Sequence, residues 1–93
     1  MHVVRWTRRG LADAARIFAY IALANPKAAQ DLAADINEAT LRLARFPHMG
    51  RVGYDPSTRE LVVRRNYIVV YRIAATEVQV LQLWHVAQRR PRK

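Results

Sequence analysis

Hydrophobic residues in the first third of the chain recur with helical spacing after a short strand-like opening. The opening run, HVVRW at residues 2–6, is β-branched and aromatic, which is typical of a strand. Thr7 then stands where a helix N-cap could lie. The apolar positions that follow are spaced three or four residues apart: Leu11, Ala14, Ala15, Phe18, Ile21 and Ala22. The pattern predicts a first helix that ends near Leu23.

A second helical pattern begins at the break ANPKAAQ. Pro26 disfavours helical backbone at Asn25, but a proline is well placed as the first residue of a new helix. Arg42 and Arg45 would lie near the C-terminal end of this helix, where the helix dipole favours cations. Its predicted apolar face consists of Ala29, Leu32, Ile36, Ala39, Thr40 and Leu43. The two helices are expected to pack as a hairpin.

The second half of the chain changes to loop and strand patterns. Residues 46–57, FPHMGRVGYDPS, contain two of the three glycines and two of the four prolines, which is typical of a loop. Three strand-like runs follow, TRELVVR, YIVVYRI and VQVLQLWH, and their short connections predict an antiparallel meander. The predicted fold class is therefore α/β of the α+β kind, in the order β-α-α-β-β-β, with a small antiparallel-rich sheet packed by the N-terminal helical hairpin.

Length and composition predict that residues 1–93 form a single domain. The chain is 52% hydrophobic, which is enough for one modest core, and residues 86–93 read as a basic tail. The absence of cysteine excludes disulfides and thiolate metal sites. Neither a signal-peptide pattern nor a run of apolar residues long enough to span a membrane is visible, so the cytoplasm is the expected location.

The charge pattern indicates an anionic partner. The formal net charge is +9, and fourteen of the sixteen basic residues are arginine, whose planar guanidinium suits phosphate and carboxylate groups. The charge is concentrated in residues 51–93, with nine basic and three acidic side chains, against seven and four in residues 1–50. We therefore expect an anion-binding surface whose affinity falls with salt. Its candidate residues are Arg51, Arg59, Arg64, Arg65, Arg72, Arg89, Arg90, Arg92 and Lys93.

Two alternatives to that surface stay open. The arginines could be scattered charges that only keep the protein soluble. Arg72, which lies among apolar residues of a predicted strand, needs a partner and could pair with a carboxylate such as Glu60.

Few residues suggest catalysis directly. His85 closes the last predicted strand, and an imidazole can serve as acid or base near neutral pH. The three histidines lack metal-ligand spacing, and no hydrolase triad, phosphate-binding loop or dinucleotide fingerprint occurs, so no metal or cofactor is expected. Cleavage of RNA without metal needs only a base, an acid and a cation, which arginines, a histidine and tyrosines could supply. Tyr54, Tyr67 and Tyr71 could instead stack a base, although the last two occupy positions where a sheet core is expected.

Four short motifs together resemble the RelE/ParE superfamily of toxins from bacterial type II toxin–antitoxin systems. They are P-x-x-G-R at residues 47–51, TRELVV at 58–63, YIVVYR at 67–72 and H-x-x-Q at 85–88, and the resemblance extends over nearly the whole chain. It implies a compact toxin that arrests growth and is held inactive by a cognate antitoxin in a hetero-oligomer. That antitoxin is expected to be acidic and to fold upon the basic surface.

The superfamily has two kinds of target, and the resemblance implies different site residues for each. RelE-like members cut mRNA in the ribosome, and carrying their pattern across gives Arg59, Arg72 and His85 as catalytic residues. The chain departs from that pattern, because Val86 stands where some nucleases have tyrosine and no lysine occurs between Lys27 and Lys93.

ParE-like members poison DNA gyrase, and the strand motifs and the basic C-terminus resemble these more closely. In that case Gln88, Arg89 and Arg90 join the arginines of the sheet as target-binding residues.

Overall fold

The computed structural model describes residues 1–88, apart from the side chain of Gln88. Within them the helices are α1 (Arg8–Ala24) and α2 (Pro26–Arg45). The strands are β1 (Val3–Trp6), β2 (Arg51–Val52), β3 (Arg59–Val63), β4 (Tyr67–Ala74) and β5 (Glu77–His85). Short 3-10 turns occupy Pro47–Met49 and Val86–Gln88.

α1 begins at the predicted cap, Thr7, and α2 begins at the predicted first residue, Pro26, with Asn25 as its cap. The Thr7 hydroxyl accepts a hydrogen bond from the Gly10 N–H at 3.1 Å, and the Asn25 side chain accepts one from the Ala28 N–H at 3.0 Å. Asn25 also ends α1, because its own N–H donates to the carbonyl of Ile21. A single extended residue therefore joins the two helices of the hairpin.

The strands form one mixed sheet in the order β1-β5-β4-β3-β2. The predicted meander of β3, β4 and β5 is confirmed as antiparallel, with a bulge beside Val70 and Tyr71. β1 pairs with β5 in parallel, from Val3 opposite Glu77 to Trp6 opposite Val80. The first strand of the chain therefore lies next to the last one.

The core lies between the helical hairpin and one face of the sheet. On α2, the whole predicted apolar face is buried. The helix-side face of the sheet contributes Val69, Tyr71, Val78 and Val80, each fully buried. We call this the inner face of the sheet and the opposite side the outer face. Side chains alternate between them along each strand.

Two details differ from the sequence-based expectation. The predicted core face of α1 included Leu11 and Ala15, which are exposed, and the helix instead buries Asp13 and Ile17. Residues 51 and 52, predicted as part of a loop, form the edge strand β2 against β3. No helix within residues 1–88 is long and apolar enough to cross a membrane.

Candidate functional site

The outer face of the sheet carries a chain of polar side chains across β4, β5 and β1. Arg72 donates from Nε and Nη2 to the side-chain oxygen of Gln79, at 3.1 and 2.7 Å. Gln79 donates in turn to Glu77 at 3.0 Å, and Glu77 accepts from Arg5 Nε at 2.9 Å. Hydrogen bonds from Gln79 and Arg5 hold the pKa of the Glu77 carboxyl below its usual value. We call these four residues the outer polar chain. Its two guanidiniums are oriented by neighbours and remain exposed to solvent.

Glu60 has a different arginine partner from the one that the sequence suggests. It lies on the outer face opposite Arg51 in the register of β2 and β3, and Arg51 Nη2 lies 3.2 Å from its carboxylate. The alternative in which Arg72 pairs with Glu60 is not found among the ion pairs of residues 1–88. Arg72 instead faces Gln79, its partner in the register of β4 and β5, so strand pairing decides both contacts.

Arg59 and Tyr71 together hold the loop between α2 and β2 onto the inner face. Arg59 Nη1 donates to the carbonyls of His48 and Gly50, at 3.2 and 2.6 Å. The Tyr71 hydroxyl donates to the Pro47 carbonyl at 2.6 Å and accepts from the Gly50 N–H at 3.0 Å. Burial raises the pKa of Tyr71, so the hydroxyl keeps its proton. We call this arrangement the loop clasp.

The loop clasp explains why a glycine follows the turn at Pro47–Met49. A Cβ on Gly50 would lie 2.6 Å from the Tyr71 hydroxyl and 2.8 Å from the Glu60 carbonyl, which leaves no room for a side chain. Pro47, Gly50, Arg59 and Tyr71 all belong to the motifs that carry the family resemblance. At least part of that signature is therefore structural.

The turn between β3 and β4 places two arginines in left-handed backbone. Arg64 and Arg65 have φ of 56° and 63°, a region that residues other than glycine rarely adopt. Arg64 pairs with Asp35 of α2, and Arg65 projects into solvent. Neither lies on the outer polar chain.

His85 lies at the end of β5 beside an open groove. Its ring meets Tyr67 edge to face, with 5.0 Å between ring centroids, and its Nδ1 accepts from the Ala87 N–H at 2.9 Å. The groove has a volume of about 480 Å³. It is lined by Arg16, Ile17, Tyr20, Ile21, Tyr67 and His85, and we call it the α1–β5 groove.

Asp13, beside this groove, was missed by the sequence analysis. Its side chain is 1% exposed and accepts from Arg9, Arg16 and the backbone N–H of Leu83, at 2.9–3.0 Å. Beyond residue 80 β5 has no strand partner on its β1 side, and Asp13 supplies an acceptor there. The only local signal was the spacing of two arginines four residues before and three residues after an aspartate.

The three residues expected to be catalytic in a nuclease lie apart. Arg59 is on the inner face and Arg72 on the outer face of the sheet. His85 pairs with Tyr67, whereas Arg59 pairs with Tyr71, four residues further along β4, or about 13 Å. The Gln88 side chain and the basic residues Arg89, Arg90, Arg92 and Lys93 lie outside the described residues. Within residues 1–88 no group of three His, Asp or Glu side chains is placed to hold a metal ion.

Comparisons with known proteins agree on the family. The family described as "ParE toxin of type II toxin-antitoxin system, parDE" matches residues 4–90. The chain is 42% identical over 89 residues to toxin Y4kP of Sinorhizobium fredii, covering 95% of this chain and 92% of that protein. It is 38% identical over 88 residues to "Toxin RelE2" of Caulobacter vibrioides, covering 95% and 99%.

Two solved structures share the fold. One chain of the "Chromosomal ParDE TA system from P. aeruginosa" matches with a TM-score of 0.81 and 27% identity, covering 92% of this chain and 97% of that chain. The protein HP0894 of Helicobacter pylori matches with a TM-score of 0.54 and 18% identity, covering 94% and 97%, and supports the fold alone. With a family match over nearly its whole length, the chain belongs to the ParE toxin family of type II toxin–antitoxin systems.

Proposed function

We propose that this toxin arrests growth in the cytoplasm by binding DNA gyrase and its DNA, and that a cognate antitoxin neutralises it. Family membership supports a toxin, and the match to a ParDE system supports an antitoxin partner. In this proposal the toxin is a binding inhibitor that performs no chemistry of its own. It needs neither a metal nor a cofactor.

The observation that carries this choice is the separation of the candidate catalytic residues. Cleavage of RNA requires an acid, a base and a cation that reach one phosphate group. Arg59 and Arg72 lie on opposite faces of the sheet, and His85 lies about 13 Å along the strands from Arg59. Arg59 is also engaged by two backbone carbonyls of the loop clasp. A binding function requires no such convergence.

The outer polar chain is the described part of the proposed target-binding surface. Gln79 is neutral, so its contact orients Arg72 without cancelling the charge of the guanidinium. Arg5, at the other end of the chain, has a side chain that is 65% exposed, and its charge is partly compensated by Glu77. Two oriented, exposed guanidiniums on one face suit the phosphates of DNA held by gyrase. Arg51 adds a third cation to this face, partly compensated by Glu60.

A second candidate function is a ribosome-dependent mRNA endonuclease. One observation favours it: His85, Tyr67 and Arg16 all line the α1–β5 groove, which brings an imidazole, a phenol and a guanidinium to one opening. The Caulobacter relative is also named as a RelE toxin. In this alternative His85 is an acid or base, and replacing it with alanine should slow cleavage at least about a hundredfold.

The test uses purified toxin, as wild type and as His85→Ala, in two reactions. One measures supercoiling and DNA cleavage by purified gyrase, and the other measures mRNA cleavage on translating ribosomes. We expect inhibition of gyrase by both proteins to the same extent and intact mRNA in both. Cleaved mRNA that depends on ribosomes and disappears in His85→Ala would refute the gyrase proposal and establish the nuclease.

A further inference from the structure

We propose that the α1–β5 groove is the docking site of the antitoxin, and that it receives a large apolar side chain flanked by a carboxylate. This inference rests on the proposed function, because that function supplies the antitoxin. It goes further by naming the surface, the chemistry of the segment that binds there and the toxin residues that recognise it.

The shape and lining of the groove suit a side chain of a protein partner. Its volume of about 480 Å³ lies within the range of about 300–1,000 Å³ common for binding pockets. Ile17 and Ile21 supply aliphatic surface, and Tyr20 and Tyr67 supply aromatic rings. A mostly apolar lining with a few polar groups is typical of the centre of a protein interface, where one or two anchor side chains carry most of the affinity.

The surface beside the groove is also more apolar than the exposed end of a helix requires. Tyr20 is 76% exposed and Leu23, one turn further along α1, is 86% exposed. Neighbouring large apolar side chains on one exposed helix end are typical of a surface that a partner covers. An antitoxin segment that enters the groove could cover both of them.

The charge beside the groove indicates that the antitoxin segment carries a carboxylate. Asp13 is a single carboxylate between two guanidiniums, 3.0 Å from Arg9 and 2.9 Å from Arg16. These three residues carry a net charge of +1, and none of the six groove residues is acidic. The side chain of Arg16 is 60% exposed and only its Nη2 contacts Asp13. A carboxylate of the partner can therefore bind the remaining N–H groups of Arg16 and complete the charge balance.

The same features favour a protein over a nucleic acid as the occupant. Nucleic-acid binding depends on several cations that track successive phosphates. Among residues 1–88 the groove lining has a single guanidinium, whereas Arg5 and Arg72, which could bind phosphate, lie on the outer face of the sheet. The target-binding and antitoxin-binding surfaces would thus be separate, so substitutions in one should spare the other.

The test measures binding of the purified cognate antitoxin to toxin variants by calorimetry, after co-expression, separation and remixing. Tyr20→Ala should weaken binding about 30-fold, because it removes an aromatic wall of the groove. Arg16→Gln should weaken it about fivefold to tenfold and should reduce its dependence on salt. The matched controls are Leu41→Ala and Arg42→Gln on α2. They remove a large apolar side chain and a cation that are also at least half exposed, and both should bind within twofold of wild type.

A growth assay separates this inference from the proposed function. At an antitoxin level that just neutralises the wild-type toxin, Tyr20→Ala should still arrest growth, because its target surface is intact. If the wild type binds antitoxin tightly and both groove variants bind equally well, the groove is not the docking site, and the proposed function stands. If even the wild type binds no antitoxin, the antitoxin part of the proposed function fails and this inference fails with it.

Two further outcomes would assign the groove to another occupant and overturn the proposal. In the first, the toxin alone sediments as a dimer and Tyr20→Ala as a monomer, which would place a second copy in the groove. In the second, Tyr20→Ala abolishes binding of a short single-stranded RNA while antitoxin binding is unchanged. Unfolding midpoints in urea should match wild type for Tyr20→Ala, Leu41→Ala and Arg42→Gln, since each of these side chains is at least half exposed. Arg16→Gln should lower the midpoint, because the buried carboxylate of Asp13 loses one of its donors.

Discussion

At the scale of single residues, Asp13 combines burial with three hydrogen-bond donors. Burial alone raises the pKa of a carboxyl group, but the Leu83 N–H and the guanidiniums of Arg16 and Arg9 outweigh it, and the net pKa of Asp13 lies below its ordinary value of 3.8. A carboxyl group whose pKa is lower in the folded state stabilises the fold at pH values above its pKa in the unfolded chain. This contribution is lost as the pH falls through the folded-state pKa.

Asp13→Asn should lower the free energy of unfolding by about 2–4 kcal/mol at pH 7, because it removes a buried charge that two guanidiniums share. The difference from wild type should be constant down to about pH 5 and shrink below about pH 4. Urea unfolding across this pH range measures it. Asp31→Asn is the control, since Asp31 forms an exposed pair with Lys27 and should cost less than about 0.5 kcal/mol. A difference that does not change with pH would contradict this account of Asp13.

Arg65→Gly should raise the free energy of unfolding by about 0.5–1 kcal/mol. A left-handed backbone costs a side chain about 1–2 kcal/mol, and the larger entropy that glycine loses on folding offsets part of the gain. The neighbouring Asn66→Gly is the control, since Asn66 has no positive φ and glycine there should be destabilising. Equal effects of the two substitutions in urea unfolding would rule out strain at Arg65.

At the scale of elements, the loop clasp joins the end of α2 to the centre of the sheet. Two side chains from adjacent strands, Arg59 and Tyr71, hold the carbonyls and the N–H of residues 47–50. The loop therefore has a fixed conformation although it contains a proline and a glycine. Its position depends on β3 and β4.

Tyr71→Phe should lower the free energy of unfolding by about 1–3 kcal/mol, since the Gly50 N–H loses its buried acceptor and the Pro47 carbonyl loses a donor. Amide hydrogen exchange at Gly50 should accelerate by more than the change in global stability explains. Tyr20→Phe removes an exposed hydroxyl and should change stability by less than about 0.5 kcal/mol. Unchanged protection at Gly50 in Tyr71→Phe would mean that the hydroxyl does not hold the loop.

Sequence patterns predicted the elements better than the contacts between them. The cap at Thr7, the helix start at Pro26 and the buried face of α2 depend on residues close in sequence, so periodicity and local preferences were enough. The buried face of α1 was predicted only in part: Ala14, Phe18 and Ile21 contribute to the core, whereas Leu11 and Ala15 are exposed. Asp13 was missed because its burial depends on a donor from Leu83, 70 residues away. The partners of Arg72 and Glu60 follow from the register between strands, which the hydrophobic pattern of each strand taken alone does not determine.

At the scale of the whole molecule, the excess of positive charge divides between the described fold and the basic residues after it. Of the formal net charge of +9, four units belong to Arg89, Arg90, Arg92 and Lys93, which leaves +5 for residues 1–88. The relative weight of the two parts in target binding can be measured directly.

Deleting residues 89–93 should reduce the affinity for DNA. It should also make the salt dependence of that affinity less steep, by an amount that corresponds to the loss of up to about four phosphate contacts. Arg5→Gln and Arg72→Gln should each reduce the slope by about one contact if the outer polar chain binds phosphate. Arg42→Gln on α2 is the control of equal charge change. Equal effects of all three single substitutions would indicate that DNA responds to the overall positive charge of the protein and not to the outer polar chain.

The parallel pairing of β1 with β5 also sets when the fold can be completed during synthesis. Val3 pairs with Glu77, so the first strand waits for a partner that is synthesised 74 residues later. At about 5–20 residues per second, this delay is about 4–15 s. Asp13 waits similarly for Leu83, and the outer polar chain cannot assemble before β5 does. The α1–β5 groove, which His85 helps to line, is likewise incomplete until β5 is made. The surface proposed for the target and the surface proposed for the antitoxin are therefore completed at the same step of synthesis.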